Sequence, residues 1–150
     1  MIYVECKPDY VLVRSITKLP KKEIIHAGNK SEVCKKLEKQ TGCIGLVDED
    51  PWSEPPPYMK KMKVENLSDH NLKRLCDNKN NFLFVFCPRL EEWVLQVAKR
   101  CDVEVERYGL PNDGAKLHEK INANLDRFEK LIESLRSCDR LRALGELLVG

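Results

Sequence analysis

No apolar run in this chain approaches the roughly 20 residues that a membrane-spanning helix needs. The N-terminus, Met1-Ile2-Tyr3-Val4-Glu5-Cys6, lacks the basic-then-apolar layout of a signal peptide. A large charge of one sign is missing too. The 26 basic residues face 24 acidic ones, for a net charge of +2. That excludes an acidic solvating tail and gives no polybasic signature for non-specific nucleic-acid binding. There is no internal repeat and no low-complexity tract. The seven cysteines, Cys6, Cys34, Cys43, Cys76, Cys87, Cys101 and Cys138, contain no CxxC pair. The three histidines, His26, His70 and His118, show no HExxH pattern. A disulfide framework and a zinc site are therefore not expected. Reduced, buried thiols and structural histidines are. Together these absences predict a soluble, cytoplasmic protein with no membrane partner.

What is there is one domain's worth of chain, residues 1–150, at 42% apolar and 33% charged. A domain of this length buries roughly 70% of the surface its unfolded chain exposes. The near-neutral total hides a local asymmetry. Residues 1–47 carry a balance of +4, residues 48–58 a balance of −4 and residues 59–75 a balance of +3. The acidic knot is Asp48, Glu49, Asp50 and Glu54. Such a run is either a solvated loop or a cation site whose basic flanks suit an anionic substrate.

The periodicity alternates strand and helix. Ile2-Tyr3-Val4 reads as a short strand, and Pro8 then suits the first turn of a helix carrying Val11, Leu12, Ile16 and Leu19. Glu23 to Ala27 reads as a second strand. Asn29 with Glu32 three residues on reads as a helix cap, and Gly42 as a stop. Cys43-Ile44-Gly45-Leu46-Val47 is continuously apolar, which suits a central strand covered on both faces. Residues 51–57 hold four of the eight prolines and read as a loop. Residues 59–76 are ambiguous. Asp77 to Asn80 is a turn signal before the apolar strand Phe82 to Phe86. A helix with Leu90, Trp93, Val94, Val97 and Cys101 on one face follows. Val103 to Tyr108 alternates as a last short strand would. One long helix is expected from Asp113 through Leu135, and a final helix after Asp139. The pattern predicts an α/β fold of four to five strands, mostly parallel and flanked by helices. Its core spans about residues 1–108, with a tail of C-terminal helices over about 113–148.

Acidic residues stand at two strand ends. Glu5 ends the first strand, and Asp48-Glu49-Asp50 ends the buried one. Ligands bind beyond the carboxyl ends of strands in open parallel sheets. In an extended segment Asp48 and Asp50 point the same way. Hard carboxylate oxygens so clustered suit Mg²⁺ or Mn²⁺. Without a metal, such a group repels and one member is pushed toward protonation.

Three stretches carry a family resemblance. Tyr3-Val4-Glu5-Cys6-Lys7-Pro8-Asp9 resembles the strand, glutamate and helix-heading aspartate of the Toprim (topoisomerase–primase) fold, with Cys6 where that family usually has glycine. Leu46-Val47-Asp48-Glu49-Asp50 is similar to its strand followed by Asp-x-Asp, although Pro51-Trp52-Ser53 does not supply the glycine that commonly follows. Cys87-Pro88-Arg89-Leu90-Glu91-Glu92-Trp93 looks like a stretch of small Toprim-like proteins related to the OLD-type nucleases. The matches cover roughly residues 1–100.

The resemblance implies Mg²⁺- or Mn²⁺-dependent phosphodiesterase or nuclease-like chemistry on nucleic acid. By carry-over, Asp48 and Asp50 hold metal, Glu5 is the general acid/base or a second-metal ligand, and Glu91 completes a second site. Lys7 neutralises a phosphate, Asp9 supports the site, and Trp52 touches substrate. Each has a plainer reading. Asp9 and Glu91 suit the first turns of their helices, Lys7 is a surface lysine, and Trp52 is a loop aromatic. Trp93 falls on an apolar face and packs in the core. A non-catalytic Toprim-like module is the alternative, binding metal or nucleic acid or docking onto a partner protein such as an ATPase. An enzyme acting on nucleotides or small phosphate esters is the third.

Overall fold

The computed structural model describes residues 1–149. It is α/β, built on one six-stranded mixed sheet. Strands β1 (Ile2–Val4), β2 (Ile24–His26), β3 (Ile44–Asp48), β4 (Lys63–Leu67), β5 (Leu72–Cys76) and β6 (Phe82–Phe86) take the order β2-β1-β3-β6-β5-β4. Helices α1 (Lys7–Thr17), α2 (Lys30–Glu38), α3 (Pro57–Lys61), α4 (Leu90–Arg100), α5 (Gly114–Lys120), α6 (Leu125–Leu135) and α7 (Asp139–Val149) complete it. Strands β2, β1, β3 and β6 are parallel. Strands β5 and β4 are added antiparallel.

The strands read as apolar because both faces of the sheet are covered. Ile2, Val4, Leu46, Phe84 and Phe86 face a core shared with α1, α4 and the C-terminal helices. Tyr3, Val47, Leu83 and Val85 face a second core under α2. Gly45 lets α2 come close. A Cβ there would lie 2.7 Å from Val33 Cγ1 and 2.8 Å from Leu83 Cδ1, so only glycine fits.

Several expectations need correction, and one ambiguous segment is resolved. The sheet has six strands, not four to five. Residues 59–76, with no clear period, hold the end of α3 and the β4–β5 hairpin. Strand β4 is an edge with almost no buried side chain, so it leaves no hydrophobic pattern. Val103 to Tyr108 is no strand. It contains one 3-10 turn, Val105–Tyr108, whose Val105 is buried in the core shared with the tail helices rather than at a sheet edge. The helix expected across residues 113–135 is interrupted. Asn124 leaves helical dihedrals (φ −134°, ψ 39°) and its Nδ2 donates to the Lys120 carbonyl at 2.8 Å. A side chain competing for backbone groups in this way breaks the ladder. Finally, Cys101 and Cys138 are joined in a disulfide across 37 residues. The tail returns the start of α7 to the end of α4, a contact no short spacing reveals. Of the remaining cysteines, Cys34 and Cys43 are buried, whereas Cys6, Cys76 and Cys87 are half-buried. Among the described residues no helix is long and apolar enough to cross a membrane.

The topology sets the functional edge. From β1 the chain crosses to β2 on one side, and from β3 it proceeds to β6 on the other. The carboxyl ends of β1 and β3 therefore flank the point where the strand order reverses, where open α/β sheets form their crevice.

Candidate metal centre

Glu5 immediately follows β1. The next residue, Cys6, is the extended N-cap of α1 (φ −142°). Asp9 Oδ2 accepts from the Cys6 backbone N–H at 3.3 Å and from Cys6 Sγ at 3.2 Å. This is a capping box run by a thiol. It holds Asp9 fully buried with Oδ1 lacking any partner, the kind of orphan that calls for an unsatisfied donor or a cation.

Asp48 is the last residue of β3 and is buried. Its Oδ1 accepts the Leu90 backbone N–H at 2.9 Å, in the first turn of α4. A carboxylate suits that helix end, where free N–H groups point outward. Glu49 faces elsewhere. Its Oε2 accepts from Lys73 Nζ at 2.5 Å. Asp50 takes a left-handed backbone (φ 45°) and donates its N–H to the Pro88 carbonyl at 3.1 Å. The Asp48 and Asp50 carboxylates do meet, through this turn and not through the extended segment that the spacing predicts. One oxygen from each of Glu5, Asp48 and Asp50 lies within 4.8 Å of the others.

The electrostatics follow from burial. Glu5 is pushed up to about 8, first by burial and then by the Asp48 and Asp50 charges, with Lys30 pulling the other way. Asp48 is pushed up to about 7 by burial and by Glu91. Asp9 is raised well above its ordinary range by burial and by Asp48 and Glu5. Crowded, dehydrated carboxylates hold protons tightly because nothing else neutralises them. The donor set suits a hard divalent cation. Two oxygens on one Mg²⁺ lie at most about 4.2 Å apart, so the observed span closes onto an ion with a small side-chain adjustment. The cluster of Glu5, Asp48 and Asp50 can hold a metal ion.

The remaining sequence candidates lie around this triad. Glu91 is buried, and its Oε1 is 3.2 Å from His118 Nδ1, so α5 reaches back to it. Its charge acts on Asp48, but it is not among the three clustered carboxylates. Trp52 is 66% exposed in the proline-rich loop, with the Arg89 guanidinium 5.4 Å from its ring centroid. Arg89 is held by Glu92 at 2.6–2.9 Å. Lys7 is exposed on α1, with no ion pair to the triad among the described residues. Trp93 is fully buried against Phe86, and its Nε1 donates to the His70 carbonyl at 2.7 Å.

Sequence reasoning missed Lys30 and His118. Lys30 opens α2, and its side chain is only 12% exposed. Its Nζ donates to the Glu49 carbonyl at 3.1 Å and lies 3.5 Å from Asp50 Oδ2. The Asn29 cap signal already placed Lys30 just beyond β2, at the same sheet edge as Glu5. Glu5, Lys30 and Asp50 line an open cleft of about 390 Å³.

Comparison with protein-family models gives no match, and comparisons with curated proteins and with solved structures give none.

Proposed function

We propose that the chain is a Mg²⁺- or Mn²⁺-dependent phosphodiesterase of the nuclease type, acting on nucleic acid. One observation carries the reading. Three carboxylates from adjacent parallel strand ends converge at the strand-order reversal, beside a fully buried Asp9 oxygen with no partner. Asp48 and Asp50 are the metal-holding pair, and Glu5 is the third ligand or the proton-transfer group. A divalent cation bound there would polarise a phosphoryl oxygen and lower the pKa of an attacking water. The strand–Glu and strand–Asp-x-Asp pattern that resembles the Toprim family supports the same chemistry. Trp52, exposed and with the Arg89 guanidinium over its ring, offers an aromatic face of the kind that binds unstacked bases.

The test is cleavage of labelled single- and double-stranded DNA and RNA with Mg²⁺, with Mn²⁺ and with chelator, alongside bis(p-nitrophenyl) phosphate. Metal-dependent cleavage of a polynucleotide, lost in Asp48→Asn and Glu5→Gln, is expected. Turnover of the small ester alone contradicts the nucleic-acid substrate. Metal binding without any turnover contradicts the catalytic reading in favour of a binding module.

A further inference from the structure

The cation that matters most at this centre is not Lys7, two residues beyond Glu5 in sequence. Lys7 points to solvent. Lys73 is committed to the Glu49 carboxylate, and Arg89 to Glu92. Lys30 is placed differently. Its stem is packed, which limits where the ammonium can go, and the ammonium lies in the cleft beside Asp50. Of its three N–H donors, one is used by the Glu49 carbonyl. Asp50 Oδ2, at 3.5 Å, is an ion-pair neighbour without a close hydrogen bond. Donors thus remain for a ligand.

Helix stability does not explain the position. Lys30 is the first residue of α2, where a cation opposes the helix dipole. The acidic centre supplies the compensation, through Asp50 and the Glu49 carbonyl.

We propose that Lys30 is the phosphate-binding residue of this centre, neutralising Asp50 until a divalent cation takes over that role and then donating to a non-bridging oxygen of the substrate phosphate. The assignment rests on the metal-dependent reading above and adds the group that contacts substrate. It also accounts for the mixed charge of the cleft. Three carboxylates repel an incoming phosphate, and a positive charge facing it beside the metal lowers that repulsion.

Calorimetry separates the two claims. Mn²⁺ is titrated into the parent, Lys30→Met and Lys30→Arg proteins, and thymidine 5′-monophosphate is then titrated into each Mn²⁺-loaded protein. Circular dichroism checks that each variant is folded. Lys30→Met is expected to bind Mn²⁺ as tightly as the parent or several-fold more tightly, because a competing positive charge is gone. Its affinity for the nucleotide is expected to fall about tenfold, and Lys30→Arg to restore most of it. Unchanged nucleotide affinity in Lys30→Met overturns the assignment while leaving the metal centre standing. Weakened Mn²⁺ binding in that variant also overturns it, since Lys30 would then serve to assemble the carboxylates. A parent that binds no Mn²⁺ overturns the metal-dependent reading and this proposal with it.

Discussion

Two aspartates at opposite ends of the same sheet are treated in opposite ways. Asp48, at the carboxyl end of β3, is pushed up to about 7. Asp77, which follows β5 at the far end, is held below its ordinary range. Burial pushes both upward, and their partners decide the outcome. Asp77 receives hydrogen bonds from Tyr58 Oη at 2.6 Å, Asn81 Nδ2 at 2.9 Å, and the Lys79 and Asn81 backbone N–H groups at 2.8 and 3.0 Å. Asp48 has one donor, Leu90 N–H, and faces the charges of Glu91 and Asp50. The far end is a satisfied polar network. The near end leaves its carboxylates short of donors. A chain selected for stability alone has no use for such a cluster, and local departures of this kind mark functional sites.

The comparison can be broken most severely at Asn81. It is fully buried, donates to the Leu37 and Gln40 carbonyls at 2.9 Å, and accepts from the Cys43 N–H at 2.8 Å. Asn81→Leu strands these backbone groups and removes a donor from Asp77. A loss on the order of 3 kcal/mol is expected in urea unfolding, since each orphaned buried group costs about 1–3 kcal/mol.

Substitution at the acidic end should do the reverse. Asp48→Asn keeps an acceptor for Leu90 N–H and removes the charge. In the presence of chelator it is expected to stabilise the fold by about 1 kcal/mol at pH 8. The sign follows from linkage. The folded-state pKa, about 7, lies above the ordinary 3.8, so folded Asp48 holds its proton more tightly than unfolded Asp48 does. The parent then loses stability as pH rises from about 4 to 7, a loss that an amide does not share. The variant's advantage should vanish near pH 4 and be full above pH 7. Parallel pH series of urea melts check this. An advantage independent of pH would mean that charge crowding is not the cause.

The smallest effect is expected at the rim. Trp52 is exposed, so Trp52→Ala should change stability by less than about 0.5 kcal/mol. Binding of single-stranded nucleic acid, followed by fluorescence anisotropy, should weaken by about 1 kcal/mol or more if a base stacks there.

How much of this was legible depended on whether the signal was local. Glu5 and Asp48 could be placed because each ends a buried, β-prone run, and the sheet's own period carries such runs to one edge. The approach of Asp50 to Asp48 was legible only as an outcome, since the left-handed turn that produces it leaves no trace in an Asp-x-Asp spacing. Lys30 was not legible as a site residue. A lysine early in a helix reads as surface, and the contacts that hold Lys30 at the cleft, with the Glu49 carbonyl and Asp50, are long-range. The β4–β5 hairpin escaped because β4 is exposed on both faces. Asn81 was hidden beside a turn signal that the four preceding residues already explained. The link between Cys101 and Cys138 depends on how the tail folds back, which is a long-range contact.

The most direct measurement is calorimetric titration of Mn²⁺ into the parent and into an Asp48→Asn, Asp50→Asn double variant at pH 8, with both proteins checked for folding. The acidic centre predicts saturable binding in the parent, proton release on binding because Glu5 is pushed up to about 8, and no binding in the variant. Equal binding by the two proteins, or none by a folded parent, would contradict it.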